Sequence, residues 1–207
     1  MTDSQIFTNR AKVLKNIFFL ALIGFALIMI FSIGLAIWEL SPLSGTSTYT
    51  VSYTTDQYGN RLSTVIESDT YSPFIQITKN LMRPTDQFKY SVNQVVVNIT
   101  LISTIIRLPL LYALWLTYRI FKELSTSRTP FTTHLFDSIR RVGKVLVIYG
   151  LVGNIAFSIL AAILVTGILH ANNPIDFYMI LLGFVLYVVS EIMEYGFRLQ
   201  VEVDEML

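Results

Sequence analysis

Three groups of residues in this chain have the types and spacing to do chemistry. Arg107 stands inside an apolar run, with Thr100, Ser103 and Thr104 on the same face at helical spacing. Glu191 and Glu194 lie near the end of another apolar run, and Tyr187 and Gly183 continue the Glu191 face at i−4 and i−8. His134 and Asp137 stand at i,i+3 in a more polar stretch. Catalysis does not fit any of them. A di-metal carboxylate bundle wants ExxH motifs on two helices with further Glu residues, whereas the Glu191/Glu194 pair is an ExxE. His134 and Asp137 have no nucleophile or third ligand nearby, and His170 is alone in a turn. With no cysteine in the chain, disulfides, thiolate zinc sites and cysteine nucleophiles are excluded. No catalytic residue, metal or cofactor is expected, and the chain reads as a non-enzyme.

The chemistry left is that of charge in a poor solvent. Of 207 residues, 53% are hydrophobic and only 14% charged, whereas soluble domains carry about a quarter charged residues. Arg107 falls about 18 Å below the outer end of its span by helical rise. A charge there costs at least ~2.5 kcal/mol on insertion scales and so should face the bundle and pair. Glu191 lies about 24 Å down its own span, within about 6 Å of the depth of Arg107. An intramembrane pair of Arg107 with Glu191 is therefore expected, either fixing helix register or lining and switching a pathway. Glu194 has Arg198 one turn later, in the favourable i,i+4 order.

Four elements must position these groups. A bilayer core about 30 Å thick needs about 20 apolar residues. Residues 17–38 form such a run after Arg10, Lys12 and Lys15, and it closes on Ile37-Trp38-Glu39, unlike a cleaved signal peptide. The second span covers about 95–118 and is interrupted by Arg107 and Pro109; the third covers about 145–169 without a charge. The fourth covers about 175–197, with Pro174 at the favoured first helical position. The expected fold is an all-α integral membrane protein, a single membrane domain over 1–207 with four transmembrane helices. Arg119, Lys122, Arg128, Arg140, Arg141 and Lys144 gather between spans two and three, on the side of the basic N-terminal flank. By the positive-inside rule this gives an N-in/C-in orientation, and the absence of cysteine beside an exposed outer segment fits a bacterial envelope protein, here in the cytoplasmic membrane. The lipid bilayer is the primary partner. A net charge of +1 argues against direct nucleic-acid binding.

Residues 40–94, after span one, form an extracytoplasmic insert too long for a plain turn. Tyr49, Val51 and Tyr53 alternate with Thr or Ser, Leu62–Glu67 is a second β-rich run, and residues 56–60 have turn chemistry. A small β-hairpin is the expected result. Phe74, Ile75, Ile77, Leu81 and Met82 read as a short interfacial helix. The insert is either a sensor or a cap packed on the helix ends.

Span three carries Gly150, Asn154, Ser158, Ala162 and Thr166 at successive i+4 positions, a small-residue ridge suited to close helix packing, with a ligand groove as the alternative. The segment over residues 119–144 is a basic cytoplasmic loop followed by a helix start. Thr132 reads as its N-cap and Phe131 with Phe136 as a hydrophobic staple. Arg140, Arg141 and Lys144 then form a cluster at headgroup level, where anionic lipid would attract them. The tail after Arg198 is acidic (Glu202, Asp204, Glu205) and of the opposite sign to the basic loop, so the two could attract one another.

Two segments carry a family resemblance. Pro130-Phe131-Thr132 followed by Ile139-Arg140-Arg141-Val142-Gly143, and Glu191-Ile192 followed by Tyr195-Gly196, Leu199, Glu202 and Asp204, resemble the PFT…LRRIG and closing E-I-x-x-x-G-x-x-L-x-x-E-x-D motifs of a bacterial membrane protein family. It is the family of domain of unknown function 2975 (YoaS-like). Leu135 stands where that family often has Asn, and Val203 departs from its common Glu-Asn-Asp. The resemblance implies no activity, but it does imply a frequent genomic neighbour, a small cytosolic helix-turn-helix regulator, and so suggests a regulatory pairing at the membrane. The reading that follows is a regulatory or sensing membrane protein. The alternatives are a bacteriocin or peptide immunity role and small-solute transport. The sequence leaves the oligomeric state open.

Overall fold

The computed structural model describes residues 3–40, 49–55, 61–68, 92–126, 133–166 and 174–205. In chain order these form helix α1 (Asp3–Leu40), strands β1 (Tyr49–Thr55) and β2 (Arg61–Ser68), and helices α2 (Val92–Ile106), α3 (Leu108–Leu124), α4 (Thr133–Ala161) and α5 (Phe177–Glu205). A π-helical segment, Ala162–Thr166, follows α4 directly.

Among the described residues, four helical stretches are long and apolar enough to cross a membrane: Thr8–Trp38, Val97–Leu124, His134–Val165 and Phe177–Val203. Each exceeds the ~20 residues that a bilayer core requires. Their outward faces are apolar, as at Leu20, Ile30, Ile148, Ile163, Leu181 and Ile192, which in water would be untenable and in lipid is required. The chain is a multi-pass membrane protein.

The second stretch is broken where the sequence places Pro109. Proline lacks an N–H and its ring crowds the carbonyl four residues back. The α2 helix accordingly ends at Ile106, Arg107 forms a turn, and its N–H is shared between the carbonyls of Ser103 (3.3 Å) and Thr104 (3.2 Å). At its far end α3 is closed by hydroxyls. Ser125 Oγ donates to the Lys122 carbonyl (2.7 Å) and Thr126 Oγ1 to the Glu123 carbonyl (3.0 Å), satisfying acceptors that a helix C-terminus leaves open.

The start of α5 differs from the expectation. Pro174 does not open the helix; Asp176 caps it. Asp176 Oδ1 accepts the Met179 N–H at 3.2 Å, while the Asp176 N–H donates to the Gly150 carbonyl at 2.8 Å. Aspartate at this position satisfies one of the first free N–H groups of the helix. The other end of α5 runs past the expected boundary to Glu205, so the acidic tail is helical and Glu202 and Glu205 are exposed.

The chain divides into two compact units. The first comprises Met1–Ala26, Leu108–Val152 and Ile175–Leu207. Its core is Ala113, Leu116 and Ile120 of α3 against Leu135, Val142 and Leu146 of α4, with Leu186 and Met193 of α5 packed on them. The first part of α1 joins this unit through Phe18, stacked on Phe121 at 5.1 Å, and Phe19 beside Tyr118 at 5.4 Å.

The second unit comprises Leu27–Arg107 and Gly153–Pro174. In it β1 and β2 pair antiparallel, with Tyr49 opposite Ser68 and Tyr53 opposite Thr64, and the register shifts between Thr54 and Thr55. The expected turn over 56–60 and interfacial helix over 74–82 lie outside the described residues, as do Pro130, Phe131, Thr132 and His170.

Candidate functional site

The first unit contains a charged network built across α4 and α5, and a glycine contact sets its geometry. A β-carbon on Gly143 would stand 2.7 Å from the Gly183 carbonyl oxygen, and one on Gly183 would stand 2.6 Å from the Gly143 carbonyl oxygen. One heptad along α4, a β-carbon on Gly150 would meet the Asp176 carbonyl oxygen and Ile180 at 2.8 Å. The absence of side chains at Gly143, Gly150 and Gly183 thus lets the antiparallel backbones touch, the packing mode that small residues permit between membrane helices.

One turn before Gly143, Arg140 faces α5. Its Nη2 lies 2.6 Å from Glu194 Oε2 and 2.8 Å from Glu191 Oε1, and its Nη1 lies 3.6 Å from Asp137 Oδ1. Arg198 Nη2 reaches the other Glu194 oxygen at 2.5 Å. The Arg140 guanidinium carbon stands 5.8 Å from the centroid of the Tyr187 ring, within cation–π range. The side chains of Arg140 and Glu194 are each only 22% exposed, whereas Glu191 is half exposed. Two cations against three carboxylates leave the cluster with a net charge of 2 − 3 = −1. A guanidinium suits this place because Nη2 carries two N–H groups for the two glutamates while Nη1, in the same plane, is turned to Asp137. Beyond the network, Phe136 and Phe197 close the same helix pair with rings 5.9 Å apart. Glu123 of α3 meets His134 of α4 at 3.0 Å.

Several expected placements change. Glu191 takes Arg140 as its partner in place of Arg107. Depth along a span gives a height but no azimuth, and Arg140 stands at the right height on the α4 face turned toward α5. Arg107 is exposed at the turn between α2 and α3. The polar stripe behind it is satisfied locally, because Ser103 Oγ and Thr104 Oγ1 both donate to the Thr100 carbonyl, at 2.9 and 2.8 Å.

The basic cluster also separates. Arg140 turns inward, whereas Arg141 and Lys144 are exposed. Successive helical residues point about 100° apart, and Arg140 shares its side with Phe136 and Gly143, both buried.

The ridge on span three divides too. Gly150 packs on α5 in the first unit. In the second, Asn154 is exposed, Ser158 is buried with its hydroxyl on the Asn154 carbonyl (2.9 Å), and Ala162 and Thr166 bound the π segment. Each i+4 step drifts about 40° around a helix, and the partner of Gly150 in packing is Gly143, one heptad earlier. The Glu194–Arg198 pair stands as expected, at 2.5 Å. Of the acidic tail, Glu202 and Glu205 continue α5 as exposed helical residues, while residues 127–132 of the basic loop lie outside the described residues.

Residues 80–206 match the family described as Protein of unknown function (DUF2975). The chain belongs to this family. No curated protein and no solved structure matches it. The part matching DUF2975 takes in α2 to α5, and with them every member of the arginine network and all three glycines of the crossing; β1 and β2 fall outside it. Of the family-like positions, Gly143 serves the helix contact and Gly196 has open space around it. Glu202 and Asp204 lie in the last turns of α5.

Proposed function

We propose that this protein is a non-enzymatic regulator of the bacterial cytoplasmic membrane. Both termini face the cytosol, and β1 and β2 stand on the outer side. The end of α5 holds or releases a cytosolic helix-turn-helix partner. One observation carries the reading. Arg140 ties α4 to Glu191 and Glu194 of α5, and α5 then continues as a helix to Glu205 with Leu199, Val201, Glu202 and Val203 exposed.

A helix gripped at one level and projecting beyond it can pass a shift in the bundle to a bound protein. Loosening the Arg140 grip changes the position of the projecting turns. A two-state element of this kind needs only a few kcal/mol between its states to be biased by a signal.

The test is whether a helix-turn-helix protein is encoded beside this gene and whether the full-length protein in detergent captures it. The wild type is expected to retain it, Glu202→Lys/Glu205→Lys to lose it, and Arg140→Gln to alter the amount retained. No capture by the wild type would sink the proposal.

A further inference from the structure

A cavity of about 570 Å³ lies among α3, α4 and α5 in the first unit. Thr117 and Phe121 line it from α3, Ile139 and Val142 from α4, and Val189 and Met193 from α5. Its lining is apolar apart from Thr117, whose hydroxyl is already committed to the Ala113 carbonyl at 2.9 Å. Interiors pack with few voids larger than a water molecule, and an apolar cavity of this kind does not hold water stably. The volume falls in the range of about 300–1,000 Å³ typical of ligand pockets.

The cavity is continuous with the lipid-facing surface. Val189 both lines it and is 40% exposed, and Val185, Val188 and Ile192 extend an exposed apolar face along the same helix. At the Val189 mouth the adjoining medium is therefore hydrocarbon chain, and a chain entering there from the bilayer meets no polar group to desolvate. Moving a tail from lipid to an apolar cavity yields little hydrophobic gain, so any preference among lipids must come from the head group. The turns that carry Phe121 and Val142 also carry Lys122 and Arg141, both exposed. Basic residues at this level attract anionic head groups.

We infer that the cavity takes one acyl chain of an anionic phospholipid, with its phosphate held by the basic residues at that end of the bundle. The site stands apart from the arginine network, although Ile139 and Met193 are the chain neighbours of Arg140 and Glu194.

The experiment reconstitutes the full-length protein in phosphatidylcholine vesicles containing a trace of photoreactive-chain phosphatidylglycerol, photoreactive-chain phosphatidylcholine or a photoreactive free fatty acid. Adducts are mapped by mass spectrometry. Phosphatidylglycerol is expected to label Ile139, Val142, Val189 or Met193 at least about fivefold more than phosphatidylcholine does, the effect of roughly one basic contact. Val189→Trp, at the exposed mouth, should remove these adducts and leave the melting temperature unchanged. Lys122→Gln/Arg141→Gln should bring phosphatidylglycerol labelling down to the phosphatidylcholine level. Equal labelling by the two phospholipids overturns the inference. So does labelling by the fatty acid alone, or adducts confined to outward residues such as Ile148 and Leu182.

Discussion

Gly143 and Gly183 occupy each other's side-chain space: a β-carbon on either would fall within 2.7 Å of the other's backbone carbonyl oxygen. The obstacle is main chain on both sides, so no rotamer change relieves it. Gly143→Ala and Gly183→Ala are each expected to destabilise the protein by about 3 kcal/mol, the upper end for overpacking, measured by denaturation in mixed micelles. Gly24→Ala and Gly196→Ala, where nothing lies within 4 Å, are expected to be neutral or to gain about 0.5–1 kcal/mol from helix propensity. Equal effects at all four sites would show that the close crossing is not what these glycines provide.

The same crossing brings Arg140 to its two carboxylates. Arg140→Gln is expected to lower the melting temperature more than Glu194→Gln, because losing the arginine leaves Glu191 and Glu194 side by side without their shared cation. In double-mutant cycles Arg140 should couple more strongly to Glu194 than to the half-exposed Glu191. Arg140→Lys should not restore wild-type stability, since a single ammonium cannot stand at both the Nη1 and the Nη2 positions that face Asp137 and the two glutamates.

Asp176 predicts a smaller effect with a clear chemical signature. Asp176→Ala removes the acceptor for the Met179 N–H and is expected to cost about 1 kcal/mol, with Asp176→Asn keeping most of the stability. Thermal melts of the two variants side by side make the comparison. A large loss from Asp176→Asn would point to the carboxylate charge instead of the cap.

Arg107 gives a contrasting expectation. It is exposed and makes no ion pair among the described residues, so Arg107→Leu should accumulate in membranes to wild-type level and elute as the same species on size exclusion. Misfolding of this variant would mean that the charge at the α2–α3 break carries structural weight.

The four spans were legible because apolar length is a one-dimensional property that single interruptions such as Arg107 do not hide, and the break at Arg107 because proline acts locally. The partner of Glu191 was not, because depth is readable from sequence whereas azimuth depends on which neighbour each helix face meets. A signal for it existed. Arg140 shares its side of α4 with Phe136 and Gly143, both buried, while Arg141 and Lys144 sit with the exposed Ile148. Angular bookkeeping around α4 would have separated one inward arginine from two outward basic residues. Asp176 was likewise readable as a capping residue, but Pro174, two positions earlier, offered a competing helix start. The pairing of Gly143 with Gly183 could not be read, since it needs the register of α4 against α5.

The bond from the Asp176 N–H to the Gly150 carbonyl bears on how the chain enters the membrane. The capping residue of α5 is held by an acceptor on α4, and the next turns of α5 pack on Gly150 and Gly143 of α4. An α5 released into lipid alone would leave the Asp176 N–H without its acceptor and bare backbone exposed at Gly183, together with two carboxylates lacking Arg140. Each of the two helices is thus complete only against the other, so the pair is expected to enter the bilayer at less cost together than α5 would alone.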